Sequence, residues 1–396
     1  MGASERTGWL VAVHEAALTL SPARDVVVAY DLEGRPTSVF ADGDTYKRSL
    51  ASGLYGRRSE AGTRRRWHVE APRARALFDL ALNVAADARS ALRGDTPLRQ
   101  RGAAAGNGAF HDRLERIAGW TVEGLLAERR RFAEAYAPVS ILPPDQYGAV
   151  VLQATFGCSW NRCTFCSFYQ DRVFEVRPAA AFEAHVGAVR DLLGRDAGAR
   201  RGVFLADGNA LVLANARLEP IFATATAAFP DQPLAGFVDV FSGERKPPRD
   251  WRELRDWGLR RVAVGAETGH DPLLAYLNKP GGADAAAAFV AQLKAAGLAV
   301  QVILMAGVGG RRFAEAHLRD TARLLERLPL SPGDLVYLSP FVVQPGSAYA
   351  ERAAAEGLEA LTPAERTEQL AALRAAARRA VPAAQVALYP IDEFVY

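Results

Sequence analysis

The residues with the most distinctive chemistry are three cysteines on one short stretch of chain. Cys158, Cys163 and Cys166 have the spacing C-x4-C-x2-C, and the 396 residues contain no other cysteine. An odd number packed this closely is a poor disulfide framework, so we expect a reducing compartment. Thiolates are the soft ligands that iron–sulfur clusters need, and three of them on one loop can wrap a cluster face. A four-iron cluster held by three thiolates keeps one iron open to another ligand.

The alternative interpretation of these cysteines is a zinc site. Structural zinc sites use four ligands, usually from two paired knuckles. This sequence has no second cysteine pair, and the nearest histidine, His185, falls on a predicted helix. We therefore favour an iron–sulfur cluster over zinc and over buried cysteines that bind nothing.

A regular alternation of short apolar strands and helices surrounds the cysteines. Because each crossover helix packs on the sheet, this alternation predicts a parallel sheet. Six units predict an α/β fold with a partial (β/α)6 TIM-like barrel, whose chemistry lies on the loops after the strands. The strands are predicted at 149–156, 202–206, 234–240, 261–264, 300–305 and 335–338, and the helices at 179–193, 218–228, 284–296, 314–328 and 363–379.

The pattern along the chain predicts three regions. These are an N-terminal α+β accessory region at 1–140, the partial barrel at 141–350, and a C-terminal helix and strand extension at 351–396. Within the first region we expect a β-hairpin with its turn at Glu33-Gly34. Helical spacing of apolar residues follows at 72–92 and 112–136. The glycine-rich segment 102–108 is either a flexible connector or a mobile lid.

Composition excludes several classes of protein. A hydrophobic content of 49% with 23% charged residues is typical of a globular chain, and the net charge of +3 does not argue for nucleic acid. No apolar stretch of membrane-spanning length and no signal-peptide pattern occur, so we predict a cytoplasmic protein. The abundance of alanine and arginine suggests a bacterial genome of high GC content. One basic segment is either a solvated loop or a patch that contacts phosphate or RNA, and it contains Arg57, Arg58, Arg64, Arg65 and Arg66.

The cysteine loop carries a family resemblance. The sequence Gly-Cys-Ser-Trp-Asn-Arg-Cys-Thr-Phe-Cys, directly after the first barrel strand, resembles the cluster loop of the radical S-adenosylmethionine (SAM) superfamily. The resemblance covers about residues 148–350. It departs from the most common spacing, C-x3-C-x2-C, by one extra residue. It implies a [4Fe–4S] cluster held by Cys158, Cys163 and Cys166, with SAM chelating the open iron through its amino and carboxylate groups.

The same resemblance implies which later loops contact SAM. Asp207 and Gly208, after the second strand, match a glycine-containing motif that binds the amino group. Glu267, after the fourth strand, matches a carboxylate that bonds the ribose hydroxyls. Gly307 and Val308, after the fifth strand, match a segment that lies against adenine.

Four further features lie near these loops, and three of them have two interpretations. Phe168 and Tyr169 either stack on or hydrogen-bond the adenine, or they are ordinary core residues. Lys279 is either a partner of the SAM carboxylate or a surface lysine. The segment 344–347 resembles a proline-glycine segment near the substrate mouth of several radical SAM enzymes.

The implied activity is reductive cleavage of SAM to a 5′-deoxyadenosyl radical that takes hydrogen from an unactivated carbon. Because the cluster uses every cysteine, other residues must supply any acid, base or hydrogen donor, and we name Tyr169, Tyr389 and Glu393. We predict a small-molecule substrate and an external one-electron donor of the flavodoxin or ferredoxin type. The alternatives are an RNA substrate, a protein or peptide substrate, and a non-catalytic iron–sulfur or zinc-binding module.

Overall fold

The computed structural model describes residues 9–23, 25–60, 63–93, 98–101, 107–391 and 396. The chain divides into two compact units. One unit contains Met1–Pro138, Ala188–Arg200 and Val395–Tyr396, and the other contains Val139–Gly187 and Arg201–Phe394. Within the described ranges, every helix is too short or too polar to span a lipid bilayer.

The described part of the first unit contains one sheet of eight strands, which are β1 (Trp9–Val13), β2 (Leu18–Ala23), β3 (Val26–Tyr30), β4 (Pro36–Ala41), β5 (Asp44–Arg48), β6 (Leu54–Glu60), β7 (Thr63–His68) and β8 (Leu98–Arg101). Their order is β7-β6-β5-β4-β3-β2-β1-β8. Neighbours are antiparallel except for β8, which runs parallel to β1. The pairing of β3 with β4 confirms the predicted hairpin.

Three helices accompany this sheet, which are α1 (Ala71–Arg93), α2 (Asn107–Ala118) and α3 (Val122–Ala135). Apolar residues of α1, including Leu77, Phe78 and Ala81, are buried at the spacing of one helix face. The helix predicted at 112–136 is in fact two helices. Thr121 begins the second, because its side chain accepts a hydrogen bond from the backbone N–H of Gly124 at 3.0 Å. Most of the glycine-rich segment 102–108 lies outside the described residues.

The arginine-rich segment forms a β-hairpin, so its interpretation as a loop was wrong. Arg57 lies opposite Arg66, and Arg58 lies opposite Arg65, on the paired strands β6 and β7. The strand β7 is at the edge of the sheet. Arg58 also donates two hydrogen bonds to the carboxylate of Asp44, at 2.6 and 2.9 Å. Contact of this hairpin with RNA stays a prediction.

A buried ion network holds the turn between β3 and β4. The guanidinium of Arg35, which is 1% exposed, donates to Asp31 at 2.7 Å and to Glu128 at 3.0 Å. Two further N–H groups donate to the carbonyls of Leu192 and Leu193, at 2.8 and 3.1 Å. Burial raises the pKa of Asp31, and the positive Arg35 opposes that rise. A buried guanidinium is tolerated because its donors are satisfied in this way.

Replacing Glu128 with alanine should therefore destabilise the first unit. We expect Glu128→Ala to lower the free energy of unfolding by about 3–5 kcal/mol, because it leaves the buried Arg35 with less compensating charge. Urea titration of the full chain measures this loss. The control is Glu123→Ala, which removes an exposed ion pair with Arg75 and should change stability little. Equal losses in the two variants would contradict the network's importance.

Among its described residues, the second unit contains nine strands, which are β9 (Val150–Gln153), β10 (Thr155–Phe156), β11 (Glu175–Val176), β12 (Val203–Ala206), β13 (Leu234–Val238), β14 (Leu259–Glu267), β15 (Ala299–Ala306), β16 (Leu335–Pro340) and β17 (Gln385–Leu388). Seven of them form a sheet in the order β17-β16-β15-β14-β13-β12-β9, and all neighbours are parallel. This confirms the predicted α/β fold with a partial TIM-like barrel. Relative to the six predicted barrel strands, β17 is an addition, because the C-terminal segment pairs with β16.

The helices that follow α3 along the chain are α4 (Ala179–Leu193), α5 (Asn215–Ala228), α6 (Val240–Gly243), α7 (Pro248–Asp256), α8 (Asp271–Tyr276), α9 (Ala283–Ala295), α10 (Gly310–Glu326), α11 (Ala348–Ala355) and α12 (Pro363–Ala380). The five helices predicted for this part of the chain are all present, with ends displaced by a few residues. The short helices α6, α7, α8 and α11 were not predicted. Strands β9 and β12 are buried throughout, as expected for a parallel sheet covered on both faces.

Candidate functional site

The three cysteines line a cavity of about 350 Å³ at the C-terminal edge of the parallel sheet. Cys158, Cys163 and Cys166 are all half-buried and follow β10. Glu267 and Met305, from the ends of β14 and β15, line the same cavity. This is the edge at which α/β barrels carry their chemistry.

A buried carboxylate anchors the start of the cysteine loop. Asp207, which is 2% exposed, accepts a hydrogen bond from the backbone N–H of Gly157 at 3.1 Å. Its other oxygen accepts from the side-chain amide of Gln153 at 3.0 Å, and Arg172 donates to the carboxylate at 3.3 Å. Burial raises the pKa of Asp207, and these donors oppose the rise. Asp207 therefore joins the end of β9, the beginning of the loop and the segment beyond it.

The four residues between Cys158 and Cys163, one more than in the most common spacing, are held by hydrogen bonds to other segments. Asn161 adopts a left-handed conformation with φ of 44°, which asparagine tolerates better than most residues, and its side chain donates to the carbonyl of Tyr169 at 2.8 Å. The indole of Trp160 donates to the carbonyl of Asn278 at 2.9 Å, and the Asn278 amide donates to the carbonyl of Arg162 at 2.8 Å. These bonds hold the four residues between Cys158 and Cys163.

The electrostatics of the thiols suit a positively charged ligand. Burial raises the pKa of Cys163 to about 12, and the charge of Lys279 acts in the opposite direction. Burial also raises the pKa of Cys166, to about 11. Metal centres bind cysteine as thiolate and supply the charge that stabilises it. The three thiols share one cavity wall. Among the described residues, no group of three or more His, Cys, Asp or Glu side chains is arranged to hold a single metal ion.

His185 takes no part in this wall. Its Nε2 accepts a hydrogen bond from the backbone N–H of Gln153 at 2.9 Å, and the ring is buried. The histidine nearest to the cysteines in sequence therefore supports the end of β9.

An ion pair lies in the cavity wall. Lys279 donates to Glu267 at 2.8 Å, and the two side chains are 12% and 10% exposed. Burial lowers the pKa of Lys279, but the charges of Glu267 and Cys163 outweigh it and raise the pKa above its ordinary value. Lys279 is thus a largely buried residue of the cavity wall, and its interpretation as a surface lysine was wrong.

The backbone explains why Glu267 reaches the cavity. Its φ of 62° lies in the left-handed region, at a shift of register between β14 and β15. Gly265 leaves the space that the ion pair needs, because a Cβ at this position would lie 2.5 Å from the Glu267 carboxylate and 3.0 Å from Lys279 Nζ.

The aromatic residues after the cysteine loop also line the cavity. Phe168 and Tyr169 are both in its wall, together with Gly208. The ring of Tyr169 packs over Gly208, where a Cβ would approach it to 2.5 Å. Position 208 must therefore be a glycine for the Tyr169 ring to pack in this place.

The structure does not bring Gly307 and Val308 to the cavity. The N–H of Gly307 donates to the side chain of Gln369 at 2.7 Å, and Val308 is buried in the hydrophobic cluster that also contains Met305 and Phe341. Met305 and Phe341 line the cavity from this side. The glycine-rich sequence turns the chain from β15 into α10, where Gly309 and Gly310 both have positive φ.

The candidate acid–base residues have different positions. Tyr389 lines the cavity, and its hydroxyl donates to the carbonyl of Leu142 at 2.7 Å. Burial raises the pKa of Tyr169 and of Tyr389 well above the ordinary value, which disfavours either phenol as a general base. Glu393 lies outside the described residues.

Two polar residues of the site were missed from the sequence. Asp239 lines the cavity and caps α6, because its side chain accepts from the N–H of Ser242 at 2.7 Å. The cap pattern after a strand is a signal that would have identified it. Ser339 also lines the cavity, but nothing in the local sequence distinguishes it from any strand serine.

A buried histidine supports the segment that carries Glu267. His317 Nε2 donates to the carbonyl of Met305 at 2.9 Å, so Nδ1 accepts from the hydroxyl of Thr268 at 2.7 Å. Thr268 is the residue directly after Glu267. Burial lowers the pKa of His317 to about 4, so the neutral ring persists well below neutral pH.

The burial of His317 predicts a pH dependence of stability. In the unfolded chain the imidazole binds a proton below about pH 6.5, whereas the folded ring stays neutral until about pH 4. The free energy of unfolding should therefore fall by up to about 3 kcal/mol across this window as pH decreases. Urea titrations at a series of pH values measure it.

Two variants isolate the contribution of this ring. His317→Gln should lose the pH-dependent step, whereas His111→Gln, at an exposed position, should keep it. A wild-type profile that coincides with that of His317→Gln would show that the buried ring does not cause the step.

Comparison with known proteins gives one family match. Residues 152–325 match the family model described as "Radical SAM superfamily". No curated protein sequence matches the chain.

Several solved structures resemble the chain at low sequence identity. Coproporphyrinogen III oxidase (HemN) from Escherichia coli is 15% identical, with 59% of this chain and 54% of that chain covered and a TM-score of 0.45. Methylornithine synthase (PylB) is 14% identical, with 63% and 73% covered and a TM-score of 0.41. The methyltransferase TsrM from Kitasatospora setae is 16% identical, with 56% and 44% covered and a TM-score of 0.42. The chain spans about half the length of the first of these structures.

Proposed function

This chain belongs to the radical SAM superfamily, and we propose that it cleaves SAM reductively to a 5′-deoxyadenosyl radical that abstracts hydrogen from a small-molecule substrate. Enzymes of this class use a [4Fe–4S] cluster and SAM. The observation that carries the proposal is the common cavity. Three thiols from one loop and the Glu267–Lys279 pair face it at the carboxyl edge of the parallel sheet.

The cysteines and the ion pair have distinct tasks in this proposal. Cys158, Cys163 and Cys166 hold the cluster, which when bound supplies the electron for cleavage of a carbon–sulfur bond of SAM. Glu267 bonds the ribose hydroxyls. Lys279, which is charged and beside the thiols, attracts the SAM carboxylate.

The remaining residues hold the cofactors and exclude water. Phe168 and Tyr169 provide aromatic surface for adenine, and Gly208 permits close approach of the backbone. In the sequence-based prediction Asp207 accepts from the SAM amino group, but its described partners favour a role in holding the cysteine loop. Apolar side chains such as Ile303 and Phe237 line the cavity and limit water near a reactive carbon radical.

The reaction needs an external one-electron donor, for which we propose a small protein of the flavodoxin or ferredoxin type. Two cation–aromatic pairs beside the cysteine loop support an acidic donor. Arg162 lies 5.5 Å from the Trp160 ring, and Arg245 lies 3.9 Å from the Phe241 ring. Opposite charge on a partner favours docking at such a surface. Free thiols and a reducible cluster suit a reducing compartment, such as the cytoplasm.

An RNA substrate is the alternative, and the β6–β7 hairpin is its support. Arg57 lies opposite Arg66, and Arg58 lies opposite Arg65, so the paired strands carry a cluster of positive side chains. Phosphate groups of RNA bind at such clusters. Co-purifying RNA whose affinity falls with salt would favour this alternative.

The first prediction from the proposed function concerns SAM cleavage. After anaerobic reconstitution, the chain should bind about four irons and form 5′-deoxyadenosine from SAM in the presence of dithionite. Cys163→Ala should abolish this product, because the loop then offers two thiolates to the cluster. Mass spectrometry of the nucleoside and iron analysis measure the two outcomes.

Alternative outcomes of this experiment separate the competing hypotheses. A colourless protein that holds zinc would end the proposal of radical chemistry. An intact cluster that yields a different SAM fragment would keep the cofactors and replace the reaction.

A second prediction tests the ion pair in the cavity wall. Gly265→Ala places a methyl group against Glu267 and Lys279, so we expect the dissociation constant for SAM to rise by about tenfold or more. Equilibrium binding of SAM to the reconstituted enzyme measures it, with iron content as a check on the cluster.

The matched control for this variant is Gly187→Ala. Gly187 lies on α4, where an added Cβ meets nothing within 4 Å, so SAM affinity should be unchanged. If Gly265→Ala binds SAM as tightly as the control does, the pair has no part in the SAM site.

A further inference from the structure

We propose that the substrate is an uncharged, largely apolar molecule, and that Ser339 receives its one hydrogen-bonding group near the reacting carbon. This inference rests on the proposed function, because it assigns the rest of the same cavity to the substrate. Three independent observations lead to it: the lining of the cavity, the pairing of its charges and one buried hydroxyl.

The first observation is the apolar character of the lining. Apart from the cysteines and the residues assigned to SAM, the described part of the wall is mainly hydrophobic and includes Ile141, Phe237, Ile303, Phe341, Val342 and Ile391. The apolar lining includes an exposed side chain, Val342, which is 47% exposed. An apolar ligand gains from leaving water for such a surface, whereas a charged one loses its hydration.

The second observation is that the charged side chains in the described wall already have ion-pair or hydrogen-bond partners. Lys279 and Glu267 form an ion pair at 2.8 Å. The carboxylate of Asp239 accepts from the backbone N–H and the hydroxyl of Ser242, at 2.7 and 2.8 Å, and from the amide of Asn209. Among the described lining residues no charged side chain is therefore left without a partner for a substrate ion.

The third observation is the hydroxyl of Ser339. This side chain lies at the end of β16, is 2% exposed, and lines the cavity. Its Oγ has no hydrogen-bond partner. A buried hydroxyl without a partner is costly, and a ligand group that pairs with it recovers that cost.

The sheet places this hydroxyl close to the residues assigned to SAM. Ser339 lies opposite Met305 in the pairing of β15 with β16. The residue before Met305 is Leu304, and it lies opposite Glu267 in the pairing of β14 with β15. A substrate held by Ser339 is therefore near the ribose-binding carboxylate. This is where a radical formed on the ribose must find its carbon–hydrogen bond.

Three probes of one skeleton test the inference: p-cresol, which is neutral with one hydroxyl, toluene, which lacks it, and p-toluate, which is anionic. Binding to the full chain is measured by ligand-observed NMR, without reductant, in the presence and absence of SAM. We expect p-cresol to bind about tenfold more tightly than toluene and p-toluate to bind most weakly. Ser339→Ala should abolish the difference between p-cresol and toluene and leave toluene binding unchanged.

A thermal unfolding measurement shows whether Ser339 is merely structural. Because its hydroxyl has no partner, Ser339→Ala should keep or raise the melting temperature of the free protein. Loss of the p-cresol preference with an unchanged or higher melting temperature supports the inference. Preferential binding of p-toluate, or a Ser339→Ala variant that keeps the preference, overturns it.

Failure of this inference can be distinguished from failure of the proposed function, because probe binding and SAM cleavage are measured separately. A protein that cleaves SAM but prefers p-toluate would overturn only the substrate class. A protein that prefers p-cresol through Ser339 but never forms 5′-deoxyadenosine would overturn only the radical reaction.

Discussion

The site depends on the buried carboxylate of Asp207. Polar contacts define the position at which the cysteine loop begins. Asp207, the residue directly after β12, supplies them through the N–H of Gly157, the amide of Gln153 and the guanidinium of Arg172. A buried carboxylate is stable only with such donors. Because the loop supplies one of them, the burial of Asp207 favours the position of the loop that the structure shows. Removing any one donor weakens the whole anchor.

A second constraint is the geometry at the end of β14. The strand changes register at Gly265, and Glu267 takes a left-handed conformation that few residues other than glycine adopt. His317 and Thr268 hold the segment from behind. The carboxylate consequently meets Lys279 beside the thiols. The chain thus concentrates its charges on one side of the cavity and pairs them there.

The remainder of the cavity follows from the same arrangement. Inward-facing residues at the ends of parallel strands are usually apolar because they continue the barrel core. Ile303 and Tyr389 belong both to a hydrophobic cluster and to the cavity wall. An apolar chamber beside a paired set of charges is suited to bind a charged cofactor and an uncharged substrate together. Such a chamber also protects a carbon radical from water.

The sequence by itself determined the class of cofactor and the class of fold. Cysteine spacing is local, and the alternation of strands and helices is visible in the periodicity of apolar residues, so both needed only neighbouring positions. The tertiary structure decided which residues meet. The burial of Lys279, the partners of Asp207 and the exclusion of Gly307 from the cavity depend on contacts between distant segments. So does the pairing of β17 with β16, because these strands are far apart in the sequence and their pairing is set by hydrogen bonds that no local pattern encodes.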